Sequence, residues 1–122
     1  MQEKKLGELS PEVEEYLRKE VLSLVHSEDH VKAVREKSSS LGPGETLAEK
    51  HNDVYFSNDS YQGALLSAWA ASKGVQTVLD SSNGLDRGYC ITRPPGHHAK
   101  CSDPAGFCLF NNVALAAKMA RI

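Results

Sequence analysis

The chain has 122 residues, which suits one domain with a core, and 40% of them are hydrophobic. Lys and Arg number 14 against 16 Asp and Glu, a net charge of −2 with no basic run, which excludes nucleic-acid binding through bulk charge. No apolar run approaches a membrane span, Met1-Gln2-Glu3-Lys4-Lys5 leads into no signal-peptide core, and Cys90, Cys101 and Cys108 make no disulfide framework. The expectation is a protein of the nucleus or cytoplasm, or both, with reduced thiols.

Residues 1–9 are polar and read as a loose end. Ser10-Pro11 starts a helix: Ser10 caps, Pro11 suits the first position, and Glu12, Glu14 and Glu15 complement the dipole. Val13, Tyr16, Leu17, Val21, Leu24 and Val25 share a face, although the run from Val21 to Val25 could instead be extended. Ser27 caps a second helix from Glu28 to about Lys37, with Val31 and Val34 inward. Residues 38–44 are a loop by composition, and residues 45–57 show no clear period. A long helix is expected over about 60–80, with Tyr61, Ala64, Leu65, Ala68, Val75, Val78 and Leu79 as its stripe. Ser81-Ser82-Asn83-Gly84 is a turn, and residues 88–92 read as a short buried strand. Pro94-Pro95-Gly96 ends that strand and opens a loop to Gly106, and a last helix is expected from Leu109 onward. Helix, strand, loop and helix in that order indicate an α/β protein whose function gathers in the loop after the strand.

That loop carries Arg93-Pro94-Pro95-Gly96-His97-His98-Ala99 and then Gly106-Phe107-Cys108-Leu109-Phe110-Asn111-Asn112. The prolines stiffen the approach, and Gly96 lets backbone come close. Imidazoles titrate near neutrality, so His97 and His98 can act on one water, one ring orienting it and the other moving its proton. Gly106-Phe107 offers a backbone carbonyl beside an aromatic wall, which suits a narrow slot for an alkyl chain. A His-His pair in a loop is otherwise a solvated or structurally bonded pair. A zinc module of His97, His98, Cys101 and Cys108 is a rival, but its spacing matches no common finger and leaves the prolines and Gly106-Phe107 unexplained. Cys108 reads as a small buried packing residue and Cys101 as exposed. His26 and His30 read as part of a polar helix start packed on its neighbours, and His51 as solvent-facing.

The stretch from Arg93 to Ala117 resembles the zinc-dependent histone deacetylases, and Arg-Pro-Pro-Gly-His-His looks most like their class II members. Leu24-Val25-His26-Ser27, Asp53-Val54-Tyr55-Phe56 and Asn111-Asn112-Val113 extend the resemblance from about residue 20 to residue 122. It implies a partial arginase/deacetylase-type fold over residues 10–122, a parallel sheet flanked by helices. It implies that His97 holds a zinc-bound water and that His98 is general base and then general acid. By the same resemblance the Gly106 carbonyl accepts the substrate amide hydrogen, Phe107 walls the acyl-lysine tunnel, and Asp53 is a rim residue that grips the substrate. The implied substrates are acetylated lysines of histones or other proteins, or another acylated amine, and co-repressors or other deacetylases are possible partners.

The Asp-x-His string and second Asp that complete the family's zinc site cannot be found after His98. The resemblance therefore implies a central slice of the domain, with zinc bound only in the complete domain and no activity in the slice alone. A lone strand also leaves its edges unsatisfied, so marginal stability is expected. The alternative is a non-catalytic interaction or pseudo-enzyme module.

Overall fold

In the computed structural model, residues 9–122 are described; the loose end expected over residues 1–9 lies outside them except for Leu9, which packs against the core. Ser10 caps α1 (Pro11–Tyr16), its Oγ accepting from the Val13 N–H at 3.3 Å. The chain then continues as a π turn, Leu17–Val21, and a 3-10 turn, Leu22–Leu24, so the apolar run is helical rather than extended. These turns bring Leu17, Val21 and Leu22 together in the core.

Ser27 caps α2 (Glu28–Ser39) through the His30 N–H at 3.2 Å, and Val31 and Val34 are buried as the spacing predicts. The helix runs two residues past Lys37, and this buries Ser38. Its Oγ donates to the Ser57 carbonyl at 2.9 Å and accepts from the Tyr61 N–H at 3.1 Å, tying the end of α2 to the next helix. Residues without a clear period form a hairpin: β1 (Leu47–Glu49) pairs antiparallel with β2 (Val54–Phe56), Ala48 opposite Tyr55. Val54 and Phe56 are buried and Tyr55 is exposed, an alternation only three residues long.

The long helix is α3 (Ser60–Leu79), buried through Ala64, Leu65, Ser67, Ala68 and Ser72. The small residues among them, Ala64, Ser67, Ala68 and Ser72, suit the close packing of α3 along α4 (Asn112–Ala120). The last helix begins three residues later than Leu109, because Asn111 is its cap and accepts from the Ala114 N–H at 3.0 Å. Leu109 and Phe110 instead enter the core as an irregular segment beside Leu65, Val34 and Leu115.

One expected element is absent. Residues 88–92 are neither strand nor buried; Tyr89 is 90% and Ile91 89% exposed. Among the described residues the one sheet is the β1–β2 hairpin, so no strand lies beside this segment to complete a ladder. For the same reason the parallel sheet expected from the resemblance does not occur among the described residues. Ser81–Asn83 form a 3-10 turn closed by Gly84 at φ 71°.

Candidate active site

The backbone around His97 and His98 is held by α3 and by the start of α4. Ser67 Oγ on α3 donates to the Arg93 carbonyl at 2.6 Å, and Asn112 Nδ2 donates to the Pro94 carbonyl at 3.4 Å. Asn111 Nδ2 donates to the Ala99 carbonyl at 3.1 Å. Gly96 is the point of close approach: a β-carbon there would lie 2.5 Å from the Asn112 nitrogen and 2.6 Å from the Phe110 oxygen. Only glycine lets the segment before the histidines lie against the start of α4. From this anchored base His97 and His98 project exposed, with ring centroids 4.1 Å apart.

Gly106 and Phe107 form the tip of a tight turn. Ala105 and Cys108 exchange both backbone hydrogen bonds, at 3.1 and 2.9 Å, and both central residues have positive φ, 51° and 66°. Such signs belong to type I′ turns, where glycine is at ease and a phenylalanine is strained by about 1–2 kcal/mol. The turn is fastened to the loop between β1 and β2. The Gly106 N–H donates to the Asn52 carbonyl at 2.9 Å and the Phe107 N–H to the Asp53 carbonyl at 3.0 Å. Asp53 also has positive φ, 58°, so two left-handed residues face each other across this seam. Asn52 Nδ2 adds a bond to the Pro104 carbonyl at 3.1 Å.

This docking brings the expected site residues together. A β-carbon on Gly106 would lie 2.7 Å from His98 Cδ2, so the His98 ring rests on the glycine. Phe107 stacks on Tyr55 at 5.8 Å and 15°. Tyr55, Phe107, Arg93, Pro94 and Pro95 line a groove of about 500 Å³. The Asp53 backbone belongs to the seam, and its side chain is exposed. The Cys108 thiol donates to the Gly106 carbonyl at 3.4 Å. Cys108 is buried and Cys101 exposed, as read from the sequence.

His26 and His30 are packed, as the sequence indicates, but what they hold was not read. His26 Nδ1–H donates to the Cys101 carbonyl at 3.1 Å, and His26 Nε2 accepts from the Asn111 N–H at 2.9 Å. His30 Nε2–H donates to the Leu109 carbonyl at 2.8 Å. Burial pushes both imidazole pKa values down, against the pull of these backbone carbonyls. Two histidines four apart, on either side of the Ser27 cap, were the available signal; their partners lie more than seventy residues away and leave no local trace.

Among the described residues no three His, Cys, Asp or Glu side chains converge to hold a metal ion. The residues present therefore do not by themselves fit zinc, and His97, His98, Cys101 and Cys108 do not form a zinc module.

The chain shares the deacetylase-type α/β fold. It superposes on the crystal structure of the HDA15 HD domain with a TM-score of 0.74 and 33% identity, covering 84% of this chain and 27% of that one. The model of the histone deacetylase domain matches residues 2–122, and the chain belongs to that family. It is 42% identical to the polyamine deacetylase HDAC10 of Mus musculus over 104 residues, 84% of this chain and 15% of that protein. It is 41% identical to histone deacetylase 5 of Arabidopsis thaliana over 98 residues, 79% of this chain and 14% of that protein. With the histone deacetylase HDA1 of Candida albicans it shares 39% over 108 residues, 87% and 12% of the two chains. The chain thus spans about a seventh of the length of these relatives.

Proposed function

We propose that this chain supplies the acid–base pair and one tunnel wall of a zinc-dependent deacetylase, with acetyl-lysine as substrate and lysine and acetate as products. The observation that carries this reading is the His98 ring resting on Gly106 beside the stacked Phe107 and Tyr55. It sets a proton-transferring group beside an aromatic wall. His97 orients the attacking water; His98 takes its proton and returns it to the amine as the amide C–N bond breaks. The Gly106 carbonyl accepts the substrate amide hydrogen, Phe107 walls the alkyl chain, and Asp53 grips the substrate at the rim. Zinc belongs to the complete domain, on ligands other than the described residues. Acetylated lysines of histones or other proteins are the proposed partners, with co-repressors and other deacetylases next, in the nucleus or cytoplasm. No described helix is long and apolar enough to cross a membrane.

A second reading, a non-catalytic interaction module, draws on the exposed Leu79, Leu85, Tyr89, Ile91 and Val113. The two separate in a chimera that carries this chain in place of the matching segment of mouse HDAC10. The first reading expects hydrolysis of acetyl-lysine peptide or N-acetyl polyamine. A folded, zinc-loaded chimera without turnover on either would leave only the interaction module.

A further inference from the structure

The loop from Ala99 to Asn111 carries Gly106 and Phe107 at its middle and begins next to His98. Its ends come back to one side chain. His26, 4% exposed, reaches the start of the loop at Cys101 and its end at Asn111. The Ser27 N–H donates to the same Cys101 carbonyl at 3.1 Å, and Asn111 in turn holds the Ala99 carbonyl. A backbone N–H can only donate, so the bond from Asn111 fixes the lone pair on His26 Nε2 and leaves the proton on Nδ1. The Nδ1–H is then the donor that Cys101 needs. One neutral imidazole in one tautomer satisfies both contacts. Neither the other neutral tautomer nor the imidazolium does, because each puts a proton on Nε2, facing the Asn111 N–H.

We propose that His26 is a positioning residue for the candidate active site: its neutral Nδ1–H form closes the loop that carries Gly106 and Phe107 against His98. His30 supports the arrangement from the first turn of α2, donating to Leu109 with its ring centroid 5.0 Å from that of His26. Phe110 packs on both rings, at 5.5 and 5.8 Å, and keeps water from competing for the bonds. The ionisable groups around His26 are Glu28, His30, Lys32, Arg35 and Glu36 of α2, Arg18 and Lys19 of the π turn, and Lys100 and Cys101 of the loop. Burial opposes a charge on the ring, and the neighbouring His30 adds to that opposition. The role matters for catalysis only if His97 and His98 are the reacting pair, so that part rests on the proposed function; the loop closure itself does not.

The test is nitrogen-15 NMR of the 122-residue chain, with amide exchange read residue by residue. At pH 7.5 His26 is expected to show a protonated Nδ1 and a bare Nε2, with the Asn111 amide protected. As His26 protonates, Asn111 protection is expected to fall by about tenfold or more, and the amides of residues 99–108 to shift with the same midpoint. His26→Phe, which keeps the volume, is expected to lose Asn111 protection at every pH. His26→Gln, which keeps a neutral acceptor at the reach of Nε2, is expected to restore it in part. An Nε2–H tautomer, or a His26 titration that leaves residues 99–111 unmoved, would overturn the proposal even if both variants fail to fold. Turnover enters none of these readings, so the loss of the proposed enzymatic function would leave them standing.

Discussion

Gly96→Ala tests the central packing relation of the site. The added methyl would lie 2.5 Å from the Asn112 nitrogen and 2.6 Å from the Phe110 oxygen. Both are backbone atoms, fixed by the Asn111 cap and by the burial of Phe110, so no side chain can swing away. Overpacking of this kind costs about 1–3 kcal/mol, and the backbone obstruction places Gly96→Ala near the upper end, about 3 kcal/mol. With a urea slope of roughly 1–3 kcal/mol/M, the unfolding midpoint should fall by about 1 M or more. Gly84→Ala is the control. Gly84 has φ 71° but nothing within 4 Å of an added β-carbon. It should lose only the left-handed backbone cost, about 1 kcal/mol. Urea titration followed by circular dichroism reads both. Equal midpoints for the two variants, or a Gly96→Ala midpoint within about 0.3 M of the parent on that slope, would refute the packing argument.

Other outcomes follow from the same structure. Gly63 lies in α3 with only ordinary contact to Pro94 at 3.8 Å, so Gly63→Ala should stabilise the chain by about 0.5–1 kcal/mol in the same titration. Phe107→Gly relieves the positive-φ strain and removes a ring that is 55% exposed. Its midpoint should hold or rise, while KM for an acylated amine in the HDAC10 chimera rises. Burial holds the His26 and His30 pKa values below 6.5, so the unfolded chain binds more protons in acid. Stability should be full above about pH 6.5 and decline as pH falls through the lowered folded values; a flat urea midpoint between pH 7 and pH 5 would contradict this. Dialysis of the chain against zinc should leave no stoichiometric metal, because the described residues hold no converging ligand set.

The sequence carried two helix starts well, since Ser10 and Ser27 cap through residues three positions away; the last start was misplaced at Leu109 because the Asn111 cap was not read. The candidate site was named through the family resemblance of residues 93–117, since a His-His pair in a loop is by itself most often solvated or structurally bonded. The hairpin at Leu47–Phe56 was not legible: three-residue strands give no period, and its purpose is set by the distant Gly106-Phe107 turn. Residues 88–92 misled for a physical reason. β-branched and aromatic residues describe what a strand prefers, but a strand exists only beside another, and none is adjacent among the described residues. His26 was read as packed, but its choice of tautomer depends on a backbone amide eighty-five residues away.

The claim that His98 moves the proton of an amide hydrolysis is tested most directly by acetate release from acetyl-lysine peptide by the HDAC10 chimera and its His98→Ala form. The account predicts turnover in the chimera and a loss of roughly 10²–10⁴-fold in kcat in the variant, with zinc content unchanged. Equal rates in the two proteins would contradict it and return His98 to an ordinary exposed loop histidine.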